Sequence, residues 1–499
     1  MTLRSCARLL FCLGLLLSGA VTADTPGIGK KPDVRLLIDV SGSMKTSDPE
    51  NLRAPAVELL VRMLPEGSRA GIWLFGDGVR ELVPHGDVDE EWRKLARRGM
   101  QRIDNSGQRT NIPAALDAAT FDFERLDPGY RISIILLTDG KVDIAESPMQ
   151  NATAARSILT KRAVTLGQTG IPVHTIALSS EADWVFLRSL AATTSGIAEQ
   201  AGSATELGGV FLQSLDIVAP SVRVPLAGSR FSIDASVEEF SVLVFFENGR
   251  KRVRLVNPAG DKWGPTAEVQ GVSWVINDQF ALVTVSSPTP GDWQVQAPKD
   301  TSARVSVISD LQLQVDPIPS SMPAGRRAEL GIRLVEKGMP VLDPDVLSAF
   351  NLYVDITGPN GSTERVDVIR NYPFPADGEY RVLLPPFASS GRHALTVRLQ
   401  AGALQRELPL LVEVAALPEE ATLVTRGQAQ PEDDFRAPLA GLVAAIVVVL
   451  LMVWWVLRRR RKRKLELWQR RAQNAAKLNG EFPGAGMTAD RDPRDPSLD

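Results

Sequence analysis

Val34-Arg35-Leu36-Leu37-Ile38-Asp39-Val40-Ser41-Gly42-Ser43 is the stretch on which the reading of this chain turns. A mostly apolar run over 34–38 that gives way to a Gly/Ser-rich turn reads as a buried strand of a parallel sheet. Asp39 and the two serines then fall where the strand ends and the chain turns. In open α/β sheets the ligand crevice lies at the carboxyl ends of the strands. An Asp and two hydroxyls in alternation offer three oxygens to one point, a donor set suited to a hard divalent cation. Taken singly, Ser41 and Ser43 have a plainer use as caps of the next helix.

Two further stretches repeat the theme. Ser106-Gly107-Gln108-Arg109-Thr110-Asn111-Ile112 is a polar loop leading into a helix, with Ile112, Ala115, Leu116, Ala119 and Phe123 at helical spacing. Ile132-Ser133-Ile134-Ile135-Leu136-Leu137-Thr138-Asp139-Gly140 is a second buried strand ending on a carboxylate. In residue type and order, Asp39-x-Ser41-x-Ser43, then Thr110, then Thr138-Asp139-Gly140 resembles the metal-ion-dependent adhesion site of von Willebrand factor type A domains. The resemblance extends over residues 33–218.

That resemblance implies an α/β doubly wound, Rossmann-like domain that holds Mg²⁺ or Mn²⁺ through Asp39, Ser41, Ser43, Thr110 and Asp139. In the family both serines ligate directly, the threonine does so in some states, and the aspartates act directly or through water. Mg²⁺ takes near-octahedral oxygen ligands and keeps some waters, so one position stays exchangeable. A Glu or Asp of a partner protein can occupy it. Hydroxyl ligands leave positive charge uncancelled and so make the ion attractive to an incoming carboxylate.

The alternation of helix and strand from 33 to 220 fits the same fold class. Helices are expected at 52–63, 90–103, 152–168, 183–193 and 205–218, with a strand at 171–178. The runs 70–75 and 79–83 read as a strand pair turning at Gly76-Asp77-Gly78. Beyond Pro220 the helical period gives way to short alternating runs (240–246, 252–256, 280–285, 293–296) between Pro/Gly turns, the layout of a β-sandwich. We expect two such Ig-like sandwiches, at 221–308 and 310–415. Pro288-Thr289-Pro290-Gly291-Asp292-Trp293 resembles a turn of sandwiches that follow A domains in bacterial proteins. Asp377-Gly378-Glu379-Tyr380-Arg381-Val382 and Gly391-Arg392-His393-Ala394-Leu395-Thr396-Val397 mark strands of the second sandwich.

At 499 residues the chain has room for about three domains. Its net charge of −3 supplies no electrostatic case for nucleic acid. Arg4 and Arg8, then the apolar stretch 9–17, then Val21-Thr22-Ala23 have the layout of a secretory signal peptide over 1–23. Both cysteines, Cys6 and Cys12, fall in that segment, which leaves the mature chain without disulfides and points to a bacterial envelope protein. A Pro- and acid-bearing linker (416–438) leads to an uninterrupted apolar stretch (439–457). As a helix this stretch spans about 28 Å, near the bilayer hydrocarbon thickness. The run Arg458-Arg459-Arg460-Arg461-Lys462-Arg463-Lys464 marks the cytoplasmic side. The expected topology is therefore a single-pass type I protein of the inner membrane, with a periplasmic ectodomain and a basic tail at 458–499.

This layout is similar to that of membrane-anchored A-domain proteins of proteobacteria. The expected function is non-enzymatic: divalent-cation-dependent, adhesion- or receptor-like binding of a protein ligand through an acidic side chain. A periplasm-facing assembly scaffold for an inner-membrane complex is the alternative. A Mg²⁺-dependent hydrolase is a third reading. For that reading the sequence offers no P-loop pattern and no second acidic group after Val40. His85 in a turn, His174 in a strand and His393 in the second sandwich form no His-Glu-x-x-His motif.

Overall fold

A strand buried on both faces needs neighbours on both edges and helices above and below. β1 (Lys31–Asp39), buried from Asp33 to its end, has all of these. The computed structural model describes residues 30–416, except 140, 180–181, 203, 247–251, 299–300 and 317, together with 451–452 and 454–455. β1 pairs in parallel with β2 (Arg69–Phe75) and β4 (Tyr130–Thr138). β5 (Val173–Ala177) and β6 (Ala198–Gln200) extend the sheet in parallel, and β3 (Val79–Asp87) closes the other edge antiparallel to β2. The order is β3-β2-β1-β4-β5-β6.

Helices follow on both faces: α1 (Met44–Ser47), α2 (Arg53–Met63), α3 (Glu90–Gly99), α4 (Ile112–Ala119), α5 (Pro148–Ser157), α6 (Ala163–Thr169), α7 (Trp184–Thr193) and α8 (Ala204–Val218). Val34, Leu36 and Ile38 point to one face and pack with Val57 and Leu60 of α2, Trp92 of α3 and Phe211 of α8. Leu37 and Ile134 point to the other, against Leu116 of α4, Leu166 of α6 and Leu187 of α7. The helix starts are capped by side chains: Asp89 accepts from Trp92 N (2.7 Å), Asn111 from Ala114 N (3.1 Å) and Asp183 from Phe186 N (3.1 Å).

The strand-rich region after α8 has two apolar cores. Around the first, β8 (Arg230–Ile233), β10 (Arg254–Val256), β11 (Lys262–Trp263) and β14 (Gly291–Gln296) form one layer. β7 (Arg223–Val224), β9 (Val237–Phe245), β12 (Val272–Ile276), β13 (Phe280–Ser286) and β15 (Ala303–Ser309) form the facing one. Trp293, the aromatic of the Pro-Gly-x-Trp turn, is the pin between them. It is buried, lies edge-on to Phe240 and Trp263, and donates through Nε1 to Thr289 O (3.0 Å).

Around the second core, β16 (Leu311–Val315), β18 (Glu329–Glu336), β19 (Met339–Pro340) and β22 (Glu379–Leu383) face β17 (Ser321–Pro323), β20 (Asn351–Thr357), β21 (Thr363–Asp367), β23 (Gly391–Ala401) and β24 (Leu404–Ala415). The two cores share a sheet, because β7 pairs with β15 on one side and, through Arg223 opposite Glu407, with β24 on the other. Two residues make that bridge, too few for any periodic signal.

Other differences from the sequence reading are local. The helix expected to reach residue 103 ends at Gly99 and tightens into a 3₁₀ turn, Met100–Arg102. The helix expected at 152–168 begins at Pro148 and contains a π-helical turn, Ile158–Arg162. His85 lies inside β3, not in a turn, and its ring contacts Asp33 (2.9 Å). The signal peptide, the linker beyond residue 416, the basic tail and most of the 439–457 span lie outside the described residues. Of that span, Leu451, Met452, Trp454 and Trp455 are helical and exposed. Among the described residues no helix is long and apolar enough to cross a membrane.

His174 of β5 is fully enclosed, its Nδ1 accepting from Ile197 N (3.2 Å). Burial, reinforced by the charge of Arg131, pushes its imidazole down to about 3. The folded state therefore keeps His174 neutral while the unfolded chain protonates it below about 6.5. Its contribution is complete above that pH and is lost as pH falls towards 3, at about 1.4 kcal/mol per pH unit. His174→Asn, which retains an acceptor, should show a flatter acid limb than wild type in urea unfolding between pH 6.5 and 4.5. Parallel limbs would contradict this assignment.

Candidate metal centre

Adjacent parallel strands deliver two carboxylates to one place. β1 and β4 run in register with Ile38 opposite Leu137, so Asp39, the last residue of β1, and Asp139, which follows β4, emerge side by side. Asp39 Oδ1 accepts from Ser41 N (2.8 Å), and Oδ2 accepts from Thr138 Oγ1 (2.5 Å). The Ser41 and Ser43 hydroxyl oxygens lie 3.0 Å apart. Ser43 donates to Asp139 Oδ1 (2.7 Å), and Ser47 donates to Oδ2 of the same carboxylate. Ser43 makes no side-chain capping bond to α1, so its hydroxyl serves the carboxylate cluster rather than the helix.

Four of the five expected residues thus share one hydrogen-bonded cluster. Thr110 stands on the neighbouring loop and is not bonded to that cluster among the described residues. It is buried and held by a reciprocal backbone pair with Asp143 (3.0 Å each way). Asp143 in turn accepts from Arg109 (3.2 Å) and Asn151 (2.9 Å). The loop is drawn against the β1 turn by Gly107 N donating to Val40 O (2.9 Å) and against the β2–β3 turn by Asn111 N donating to Gly76 O (3.0 Å).

Arg53 fixes the same turn from beneath. Its side chain is completely buried, with Nε donating to Asp48 Oδ2 (2.6 Å), Nη1 to the main-chain oxygen of Asp39 and Nη2 to Asn105 Oδ1. One guanidinium therefore ties the end of β1, the start of α2 and the 103–110 loop together without touching either carboxylate. Sequence reasoning missed Arg53, because a charged residue ordinarily reads as solvent-facing. Ser47 was missed as well, though its i+4 relation to Ser43 on a helix was a readable signal.

Asp39 is fully buried and Asp139 nearly so. Burial pushes the Asp39 carboxyl up to about 6, and the Asp139 charge adds to the rise while bonds from Ser41 and Thr138 oppose it. Among the described residues neither carboxylate joins an ion pair; their partners are hydroxyls and a backbone N–H. Buried charges are ordinarily paired or on a metal. Two carboxylates and three hydroxyls are hard oxygen donors of the kind Mg²⁺ and Mn²⁺ favour. The residues present fit such an ion. No group of three or more His, Cys, Asp or Glu side chains forms a metal-ligand cluster among the described residues.

Residues 33–211 match the family model of the von Willebrand factor type A domain, so the N-terminal part of the chain is such a domain. A comparison with curated proteins returned no match. Among solved structures, a von Willebrand factor type A protein from Catenulispora acidiphila is similar at 16% identity and TM-score 0.32, covering 62% of this chain and 64% of its own. Proximal thread matrix protein 1 of the mussel byssus, with a zinc-occupied MIDAS motif, is similar at 22% identity and TM-score 0.31, covering 41% of this chain and 52% of its own. An aerotolerance-related membrane protein from Bacteroides fragilis is similar at 18% identity and TM-score 0.28, covering 37% of this chain and 98% of its own. The chain thus spans less than two thirds of the length of the first two.

The closeness of Gly107 to the β1 turn yields a direct test. A Cβ there would stand 2.9 Å from Val40 O, 3.1 Å from Gly76 Cα and 3.3 Å from Ser41 Cα, all of them backbone atoms. Gly107→Ala should therefore destabilise the domain by about 1–3 kcal/mol, the usual cost of overpacking. Urea unfolding would read this as a lower midpoint, and an unchanged midpoint would show that the loop gives way freely.

Proposed function

We propose that the protein is a non-enzymatic, divalent-cation-dependent binding module whose A domain engages an acidic side chain of a partner protein. The observation that carries this reading is the buried pair Asp39 and Asp139, ringed by hydroxyls and without a cationic side-chain partner among the described residues. Asp39, Ser41, Ser43, Thr110 and Asp139 would hold Mg²⁺ or Mn²⁺. A bound ion of this kind supplies a coordination position for a partner's carboxylate.

The chain's own residues set how that position behaves. Asp39 and Asp139 supply negative charge, and Ser41, Ser43 and Thr110 supply neutral oxygens that do not quench the ion further. Ser41 and the 103–110 loop sit in the rigid frame made by Arg53 and Gly107, so the site is organised before a partner arrives. The family match over 33–211 contains all five residues and supports an interaction role. The leader at 1–23 and the apolar span at 439–457, read from sequence alone, make this a single-pass inner-membrane protein whose binding domain faces the periplasm.

The test is calorimetric titration of Mg²⁺ or Mn²⁺ into the full chain. Wild type should give a saturable heat, and Asp39→Ala should weaken it at least a hundredfold while its far-UV circular dichroism stays unchanged. Capture of proteins from envelope extracts should then depend on Mg²⁺ and be lost in EDTA. Absence of heat in wild type, or equal capture with and without chelator, would overturn the proposal. Metal-dependent capture of inner-membrane proteins alone would identify the module as an assembly scaffold rather than a receptor for an outside ligand.

A further inference from the structure

At the antiparallel edge of the α/β domain, β3 carries two extra residues against β2: Ala70 lies opposite Gly86, Ile72 opposite Val83 and Trp73 opposite Glu81. Bulges of this kind re-aim side chains. Leu82 and Val83 both turn into the core shared with α2 and α3, while Glu81 and His85 line an open cavity of about 570 Å³. Trp73 of β2 and Phe121, just past α4, complete its aromatic wall. None of these residues belongs to the metal centre.

The three rings form one group. The Phe121 centroid lies 6.3 Å from that of Trp73 and 5.3 Å from that of His85, the latter edge-on. Gly71 provides the space for the indole: a Cβ there would stand 2.5 Å from Cη2 and 2.8 Å from Cζ3 of Trp73, and 3.1 Å from His85 Cβ. Phe121 is 58% exposed, so the group is open on that side. One cation already uses this wall, since the Arg35 guanidinium lies over the Phe121 ring at 5.2 Å from its centroid.

Acids outnumber bases at this place. Asp33 and Asp122 share Arg35, so two carboxylates face one guanidinium. Glu81 adds a third. It is exposed, accepts from His85 N (3.3 Å) and pairs with no cation among the described residues. Other polar groups of the wall are committed: His85 Nε2 to Asp33 Oδ1 (2.9 Å), and the Pro84 carbonyl to Trp92 Nε1 (2.9 Å). A primary ammonium, with three N–H groups to satisfy, would find one carboxylate and aromatic rings. A trimethylammonium group has no N–H to satisfy, and aromatic rings with a counter-charge are the surroundings that hold it.

We propose that this cavity binds a small molecule bearing a trimethylammonium group. The cation sits among Trp73, His85 and Phe121, with Glu81 as its counter-charge. A cavity of this size, apolar and aromatic with few polar groups, is the usual make-up of a small-molecule site. Free solutes and lipid headgroups both carry this group. The site is independent of the divalent cation.

Titration of choline into the full chain in EDTA, which silences the metal centre, tests the proposal by calorimetry. Wild type should give a saturable one-to-one heat, with ethanolamine and the uncharged tert-butyl analogue of choline each at least tenfold weaker. Phe121→Leu and Glu81→Gln change exposed side chains, so both should melt near wild type, yet each should weaken choline binding at least fivefold. Co-sedimentation with phosphatidylcholine vesicles separates the two sources. Choline heat without vesicle binding assigns a free solute, and both together assign a lipid headgroup. The proposal is overturned if wild type gives no saturable heat, if ethanolamine or the uncharged analogue binds as well as choline, or if either folded variant binds like wild type.

Discussion

Two carboxylates brought together out of water, with no cationic side chain beside them among the described residues, are the constraint on which this domain is built. The geometry of a parallel sheet creates the problem, because neighbouring strands β1 and β4 end together, β1 on Asp39 and β4 just before Asp139. Hydroxyls of Ser43, Ser47 and Thr138 and the amide of Ser41 offset part of the cost. They cannot remove the charge. The rest of the local structure holds this arrangement in place: Arg53 grips the main chain at Asp39, and Gly107 lets a second loop approach to backbone contact.

Three other buried arginines among the described residues are matched by acids. At the opposite end of β1, Arg35 is completely buried, yet Asp33 and Asp122 both accept from it, at 2.9 and 2.6 Å. Arg53 has Asp48, and in the strand-rich region the buried Arg406 has Asp234 at 2.7 Å. Removing one partner of such a pair costs about 3–5 kcal/mol, which is the reason buried charges ordinarily come with partners. Against those three, the carboxylate pair at the top of the sheet stands out, its partners being hydroxyls and an amide.

Much of the α/β domain was legible because its signals are periodic and local. Apolar runs ending on Asp39 and Asp139, and the Gly-Asp-Gly turn between β2 and β3, could be read directly from residue type and spacing. Buried arginines were not legible, since Arg35 and Arg53 owe their burial to acids that are distant in sequence or silent in pattern. The three-residue β6 and the two-residue β7 were too short for alternation to register, although β7 joins the two halves of the strand-rich region. At the site, residue types were enough to nominate the cluster. They did not reveal that Ser47 reaches Asp139, or that Thr110 stands apart on its own braced loop.

The measurement that bears most directly on the uncompensated pair is thermal unfolding of Asp139→Asn beside wild type, each with EDTA and with excess Mg²⁺. An asparagine keeps an acceptor for Ser43 but removes one of the two charges. In EDTA the variant should melt above wild type, and Mg²⁺ should raise the melting temperature of wild type alone. A variant that melts below wild type in EDTA and still responds to Mg²⁺ would contradict the account.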